Sequence, residues 1–290
     1  MVNAINYAEK YQRELDQKLT QGLLTAELET PNVNWLDAKT FKVPTVVTGG
    51  YKAHSRNGGY NRGSVEVTHK TYTLDFDRDV EFFVDRADVD ESNQAASAAN
   101  VTNVFTNEQA IPETDAYRFS KLATVGTSAD EAITSDNVVA TLKQRLLPIR
   151  KYGPSNIIIY VSSAVMDALE QSTKFTRNID VQTGQGVIDT RVTAMDGVQI
   201  KEVWDSERFY TAFDFTDGFT PDVGAKQINY MIVAKPAVIA KAKYNSVYLF
   251  QPGQHTQGDG YLYQNRMYGD LFVMAEKTDG VFTSTIAAVV

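Results

Sequence analysis

The chain is predicted to adopt an α+β fold. Three observations carry this: apolar residues at every fourth position near the N-terminus, an alanine-rich helical stretch over residues 88–125, and strand-like blocks over residues 40–84 and 227–284. Aromatic and β-branched runs broken by Gly, Asn and Asp clusters mark the strands, while helical spacing among good helix formers marks the helices.

Residues 1 to about 30 read as helix, with Tyr7, Tyr11, Leu15, Leu19 and Leu23 set among Glu, Lys, Arg and Gln. A four-residue step overshoots the 3.6-residue turn, so this stripe drifts by about 40° per step and winds around the helix. Gly22 frays such a helix and Pro31 ends it. It packs either on its own domain or on something beyond it. Over residues 40–84 the pattern becomes a long hairpin, with residues 56–63 (RNGGYNRG) as a turn-rich tip. Val65 and Val67 lie on one parity of the returning strand and Tyr72, Leu74 and Phe76 on the other, which predicts a bulge or bend between His69 and Tyr72. A lone hairpin of this length is marginal in water. It is either a solvated surface feature or a ribbon that needs a surface to lie on. Arg56, Tyr60 and Arg62 mark its tip, with Lys52 and His54 nearby, in an otherwise acidic chain.

Asp90 or Ser92 is a candidate N-cap for the helix that follows, and Ala95, Ala96, Ala98 and Ala99 favour it. Pro112 predicts a kink or break, with the helix resuming over residues 113–123; Tyr117, Leu122, Val101, Val104 and Phe105 form the expected buried side. Residues 130–225 read as a compact α/β unit. In it, Val138, Val139, Leu142, Leu146 and Leu147 make a helical face ended by Pro148, residues 156–161 a buried strand, and Ser162 or Ser163 caps a helix running to Glu170. Asp196-Gly197 between apolar runs predicts a hairpin turn. The polar, Gly-containing residues 174–190 read as a loop. Beyond Ile228 the chain returns to strands, with Pro236 confining one to an edge or an end and Tyr261 and Tyr263 alternating with polar neighbours.

Composition narrows the function. At 290 residues, 43% hydrophobic and 22% charged, the chain supports one large domain or two smaller ones, and no run of about 18 apolar residues suggests a membrane span. No secretion signal precedes the first helix, so the chain reads as soluble and cytoplasmic in origin, and a start at Met1 reads as the absence of a cleaved propeptide. With no cysteine, disulfides, thiolate metal sites and cysteine nucleophiles are excluded. A net charge of −8 argues against wrapping nucleic acid, which depends on Lys and Arg displacing counterions.

Catalytic motifs are missing as well. His54, His69 and His255 lie too far apart for a local metal motif, and neither a phosphate-binding glycine loop nor a Gly-x-Ser-x-Gly elbow is present. Asp205, Glu207, Asp214, Asp217 and Asp222 lack calcium-loop spacing and read as a solvated acidic segment. No cofactor, metal or catalytic residue is expected.

Two segments resemble a known family. Residues 111–123 (IPETDAYRFSKLA) look like the motif ending the long spine helix of tailed-bacteriophage major capsid proteins, and residues 227–284 resemble that family's closing strands at about the expected distance. The order of parts agrees over essentially the whole chain. That fold is shared with encapsulins and the herpesvirus capsid floor.

The resemblance implies an N-terminal arm (1–38), an extended hairpin loop (39–84), spine helix and first part of a peripheral domain (85–130), an axial domain (131–225) and the second part of the peripheral domain (226–290). It implies a structural protein, not an enzyme: the head subunit that self-assembles into pentamers and hexamers of an icosahedral shell around double-stranded DNA, held without sequence-specific binding. Tyr7, Tyr11, Leu15, Leu19, Leu23, Arg56, Tyr60 and Arg62 are then expected assembly contacts. The implied partners are copies of itself, a separate scaffolding protein, a portal and decoration proteins, with the virion as location and the host bacterial cytoplasm as place of assembly. A lysine–asparagine cross-link as in some relatives would draw on Lys52 or Lys70. Two rivals stand beside this reading: an encapsulin-like nanocompartment shell, and a soluble carboxylate-dependent hydrolase.

Overall fold

A computed structural model describes residues 21–30, 39–54, 58, 60–91, 98–173 and 192–286. Strands β1 (Thr40–Thr48) and β2 (Val65–Thr73) form a two-stranded ribbon in unbroken antiparallel register, from Thr40 opposite Thr73 to Thr48 opposite Val65. The bulge expected between His69 and Tyr72 is therefore absent. The two parities are reconciled differently: Phe41 and Tyr72 pack at the base, whereas Val46, Val65 and Val67 occupy the opposite ribbon face and stay exposed.

Two residues after β2 the chain enters β3 (Phe76–Asp85), then helix α1 (Arg86–Glu91). Asp85 Oδ1 accepts the Ala87 N–H at 2.8 Å, so this helix starts before Asp90, which lies inside it; Ser92 falls outside the described residues. Helix α2 (Ala98–Phe105) passes through one π turn (Thr106–Ala110) directly into α3 (Ile111–Val125). The expected break at Pro112 is thus replaced by a widened turn. Proline lacks an N–H and crowds the carbonyl four residues back, and a π turn just before it relieves both constraints. Val101, Val104 and Phe105 are half-buried, Tyr117 and Leu122 buried.

Strand β4 (Thr127–Glu131) leads to α4 (Val138–Leu146), which buries Val138, Val139, Leu142 and Leu146. Leu147, expected on that face, is 66% exposed because the helix ends before it. In β5 (Ile157–Ser162) every residue is buried, and Ser162 Oγ caps α5 (Ser163–Gln171) by accepting the Val165 N–H. Strands β6 (Ala194–Met195) and β7 (Val198–Val203) form the predicted hairpin. Positive φ at Asp196 (51°) and Gly197 (79°) is what an Asp-Gly turn of this kind requires. A short ribbon of β8 (Phe213–Asp214) and β9 (Thr220–Pro221) precedes β10 (Ile228–Ala234), β11 (Val238–Phe250), β12 (Gly260–Val273) and β13 (Val281–Ile286). Pro236 sits in the 3-10 turn that separates β10 from β11.

These strands build two larger sheets. The six-stranded sheet runs β4-β13-β10-β5-β7-β6 and the three-stranded sheet β11-β12-β3. Alternation in β5 and β10 explains the layering. Ile157, Ile159, Val161, Tyr230 and Ile232 face α4 and α5, while Ile158, Tyr160, Met231 and Val233 face Phe119 and Leu122 of α3. A line drawn through the sequence at residue 225 runs between strands that share the six-stranded sheet, since β10 pairs with β5 and with β13. A third cluster of Phe41, Leu74, Ile239 and Tyr268 ties the hairpin base to the three-stranded sheet.

Candidate assembly surfaces

Residues 21–30, where the helix of residues 1–30 was expected to continue, are instead extended, with one 3-10 turn at Thr25–Leu28. The cause is a carboxylate. Asp115 of α3 accepts the N–H groups of Leu24 (2.9 Å) and Thr25 (3.1 Å) and the Thr25 hydroxyl (2.6 Å), giving those backbone donors partners outside any helix. Arg208 balances its charge: Nη1 lies 3.1 Å from Asp115 Oδ2 with both side chains fully buried, and Nη2 donates to Gln21 O (3.0 Å) and Asp205 Oδ2 (2.7 Å). Gln21 Nε2 donates to Glu202 O and its Oε1 accepts the Trp204 N–H. Arg118 reaches Thr25 O and Glu29, and Thr30 N–H donates to Ala240 O.

This segment is thus joined to α3, to β7 and the turn after it, and to β11. Glu27 lies between Lys201 and Lys235, and the Lys201 hydrogen bond chiefly holds its carboxyl below the usual range. Leu28 is buried in the core and Leu23 is half-buried. Tyr7, Tyr11, Leu15 and Leu19 lie outside the described residues, as do Arg56 and residues 174–190.

The β1–β2 ribbon is the opposite case. Only its base is packed, where Phe41, Tyr72 and Phe272 meet with ring centroids 5.2–5.6 Å apart. Its distal half exposes Val46, Val47, Val65 and Val67 at 54–67%, and the tip residues Tyr51 and Tyr60 stand fully in solvent. Arg62 and Lys52 are also exposed, and Lys52 Nζ donates to Arg62 O at 3.3 Å. Tyr60 and Arg62, expected contacts, are exposed at the tip, whereas the apolar face of Val46, Val65 and Val67 was not expected; its signal was the clash of parities in β2, which the register turns into an exposed valine face rather than a bulge.

The three-stranded sheet offers a second surface. Facing residues on β3, β12 and β11 line a concavity of about 620 Å³, with Asp79, Glu81, Gln264, Arg266, Tyr244 and Tyr248 in its wall. Arg266 pairs with Asp77 at 2.7 Å and Gln264 donates to Glu81 at 2.6 Å. The sheet's other face packs on the α2–α3 helix through Phe82, Tyr263 and Phe105. At the head of α3, Arg78 holds Glu113 (2.6 Å) and the Phe215 carbonyl; burial nevertheless raises the Glu113 carboxyl above its ordinary range, with Arg78 opposing.

Among the described residues no group of three or more His, Cys, Asp or Glu is placed to hold a metal ion, and no helix is long and apolar enough to cross a membrane. His255 is tied to the Gly260 carbonyl, and Asp205 to Arg208.

The two sheets, the long interrupted helix and the protruding ribbon together are the fold of phage capsid shell chains. A chain of the bacteriophage PhiM1 mature capsid superposes with a TM-score of 0.71 at 14% identity, covering 98% of this chain and 93% of that one. One from Mycobacterium phage Che8 gives 0.64 at 16% identity with 98% of both chains covered, and one from the Cyanophage P-SCSP1u capsid gives 0.66 at 12% with 97% and 93% covered. At the level of sequence, no family model and no curated protein matches the chain.

Proposed function

We propose that this chain is the major capsid protein of a tailed bacteriophage, a structural protein and not an enzyme. It self-assembles into pentamers and hexamers of an icosahedral shell that encloses double-stranded DNA. The observation that carries this reading is the whole-chain extent of the likeness, 98% of this chain against 93% of the PhiM1 capsid chain, with the ribbon included. A ribbon that exposes valines and tyrosines while packing only at its base has no use in an isolated subunit. Apolar patches of this kind mark surfaces that another protein covers.

In this reading the six-stranded sheet with α4 and α5 is the axial unit, and the three-stranded sheet with the α2–α3 helix is the peripheral one. The ribbon lies on a neighbouring copy, and residues 21–30 fix where the N-terminal arm leaves the subunit. A standard interface buries about 800 Å² on each partner, so several such contacts per subunit sum to a stable shell while each alone stays correctable. A net charge of −8 suits a container whose wall does not grip its DNA. A separate scaffolding protein, a portal and decoration proteins complete the set of partners, with assembly in the host cytoplasm.

Electron microscopy of particles purified from the native source, together with their nucleic-acid absorbance, tests this. DNA-filled icosahedra built of this chain are expected. Protein-filled shells would make it a nanocompartment, and small discrete oligomers would overturn the shell reading altogether.

A further inference from the structure

We infer that the outer edge of β11 over residues 244–250 pairs antiparallel with the same edge of a second copy of this chain, about a two-fold axis, so that two three-stranded sheets join into one of six. The inference rests on the shell reading, since an icosahedral shell sets copies against each other across two-fold axes, and it names the strand that meets there.

The backbone is the first argument. β11 lies at the edge of the β11-β12-β3 sheet. Its start is covered, because the Thr30 N–H donates to Ala240 O and Glu29 forms a bridge with Ala240. From Tyr244 to Phe250, no strand or bridge among the described residues lies on the outer side. An edge of unpaired N–H and C=O groups is a template for a strand of another chain.

Side chains are the second argument. Proteins guard an exposed edge with lysine, proline or a bulge. β11 has Lys241, Lys243 and a register shift between Ala242 and Tyr244, all near its base. Residues 244–250 (YNSVYLF) hold no charge, no proline and no glycine. Tyr244, Val247, Tyr248 and Leu249 are 49–55% exposed. The two tyrosines line the concave face, and strand alternation puts Val247 and Leu249 on the other. Both faces of this edge are thus uncovered and rich in apolar groups, as at the rim of a sheet that continues into a neighbour.

Self-complementarity selects the occupant. In an antiparallel pair centred on Val247, that valine faces its own copy, Ser246 faces Tyr248 and Tyr244 faces Phe250. Small meets large and ring meets ring, and such cross-strand pairs stabilise a sheet. Tyr248 and Phe250 already stack at 6.3 Å along the strand, and the second copy's Tyr244 extends that row. Lys243 falls opposite Gln251, outside the paired stretch, so no like charges meet. A contact of this kind is isologous, the commonest arrangement between identical chains.

The chain has no cysteine, so Val247→Cys alone reports the contact. In shells assembled from that variant, oxidation or a short bis-maleimide is expected to give covalent dimers and nothing larger, because a two-fold contact joins each copy to one other. A ladder of larger oligomers would mean a head-to-tail contact and overturn the inference. Shells that give no covalent dimer would overturn it too, and either result leaves the shell reading intact. A charge test reads the same position. Val247→Lys and Val247→Glu should leave subunit melting unchanged, as exposed sites do, yet each should lower shell yield roughly tenfold by setting like charges opposite each other. Co-assembly of the two variants in equal amounts should return the yield to within about threefold of wild type; a mixture no better than either variant alone would overturn the pairing. Absence of shells from the unaltered chain in its native source would remove the shell reading and this inference with it.

Discussion

Two segments leave the body of this protein, and they are held in opposite ways. Residues 21–30 are irregular and partly buried, at Gln21, Thr25 and Leu28, and their path is met by side chains from elsewhere: Asp115, Arg208, Arg118 and Lys201. The β1–β2 ribbon is regular, pairs the backbone groups between its two strands and is packed only at its base, around Phe41 and Tyr72. Irregular backbone cannot be buried unless its polar groups are paired, so that segment depends on a charged network. A two-stranded ribbon pairs its inward N–H and C=O groups and leaves the outward ones to water, so it can reach into solvent while its exposed apolar side chains lack a partner. One segment is completed within the subunit; the other awaits a neighbour.

The sharpest way to break this contrast is Arg208→Met. It strands the Asp115 carboxylate in a fully buried site, and removing one member of a buried pair costs about 3–5 kcal/mol. Urea unfolding of the subunit should show that loss, with new proteolytic cleavage within residues 21–30. A loss below about 1 kcal/mol would mean the network does not hold the segment. Next comes Phe41→Ala, which empties a fully buried position at the ribbon base. A loss of about 3 kcal/mol is expected, expressed as faster amide exchange in β1 and β2 while β5 and β10 stay protected.

Val46→Thr with Val67→Thr should change subunit stability by less than about 0.5 kcal/mol, as exposed positions do, yet lower shell yield. Unchanged yield would deny the ribbon its partner. The smallest effect is titration at Glu27. Its folded carboxyl lies below the unfolded value of 4.5, so its contribution is present above that value and is lost as pH falls through the lower folded one. Its side chain is about a third exposed, so only a slight acid-side difference between wild type and Glu27→Gln is expected in unfolding curves. Glu113 has the opposite sign. Its folded carboxyl is raised, so its contribution is complete below 4.5 and is lost as pH rises through the folded value.

Local signals were legible in the sequence wherever a single segment decided the outcome. Ser162 announced the cap of α5, Asp196-Gly197 the β6–β7 turn, and the all-apolar run at residues 157–161 the strand at the centre of the large sheet. What stayed hidden depended on partners far along the chain. Asp115 reads as an ordinary surface acid of a helix, and nothing near it announces Thr25 or Arg208, each about 90 positions away. The expected helix over residues 21–30 failed for that reason, as tertiary hydrogen bonds displaced local propensity. The odd–even clash in β2 was visible, but its meaning needed the ribbon's register. Once Val46 is known to sit opposite Val67 on the face away from Tyr72, the valines become a surface and not a fault.

A density map of the assembled particle, fine enough to trace the β1–β2 ribbon, tests the account most directly. It should show an icosahedral shell in which the face bearing Val46, Val65 and Val67 is covered by an adjacent copy. A particle in which the ribbon stands free in solvent, or folds back on its own subunit, would contradict the account.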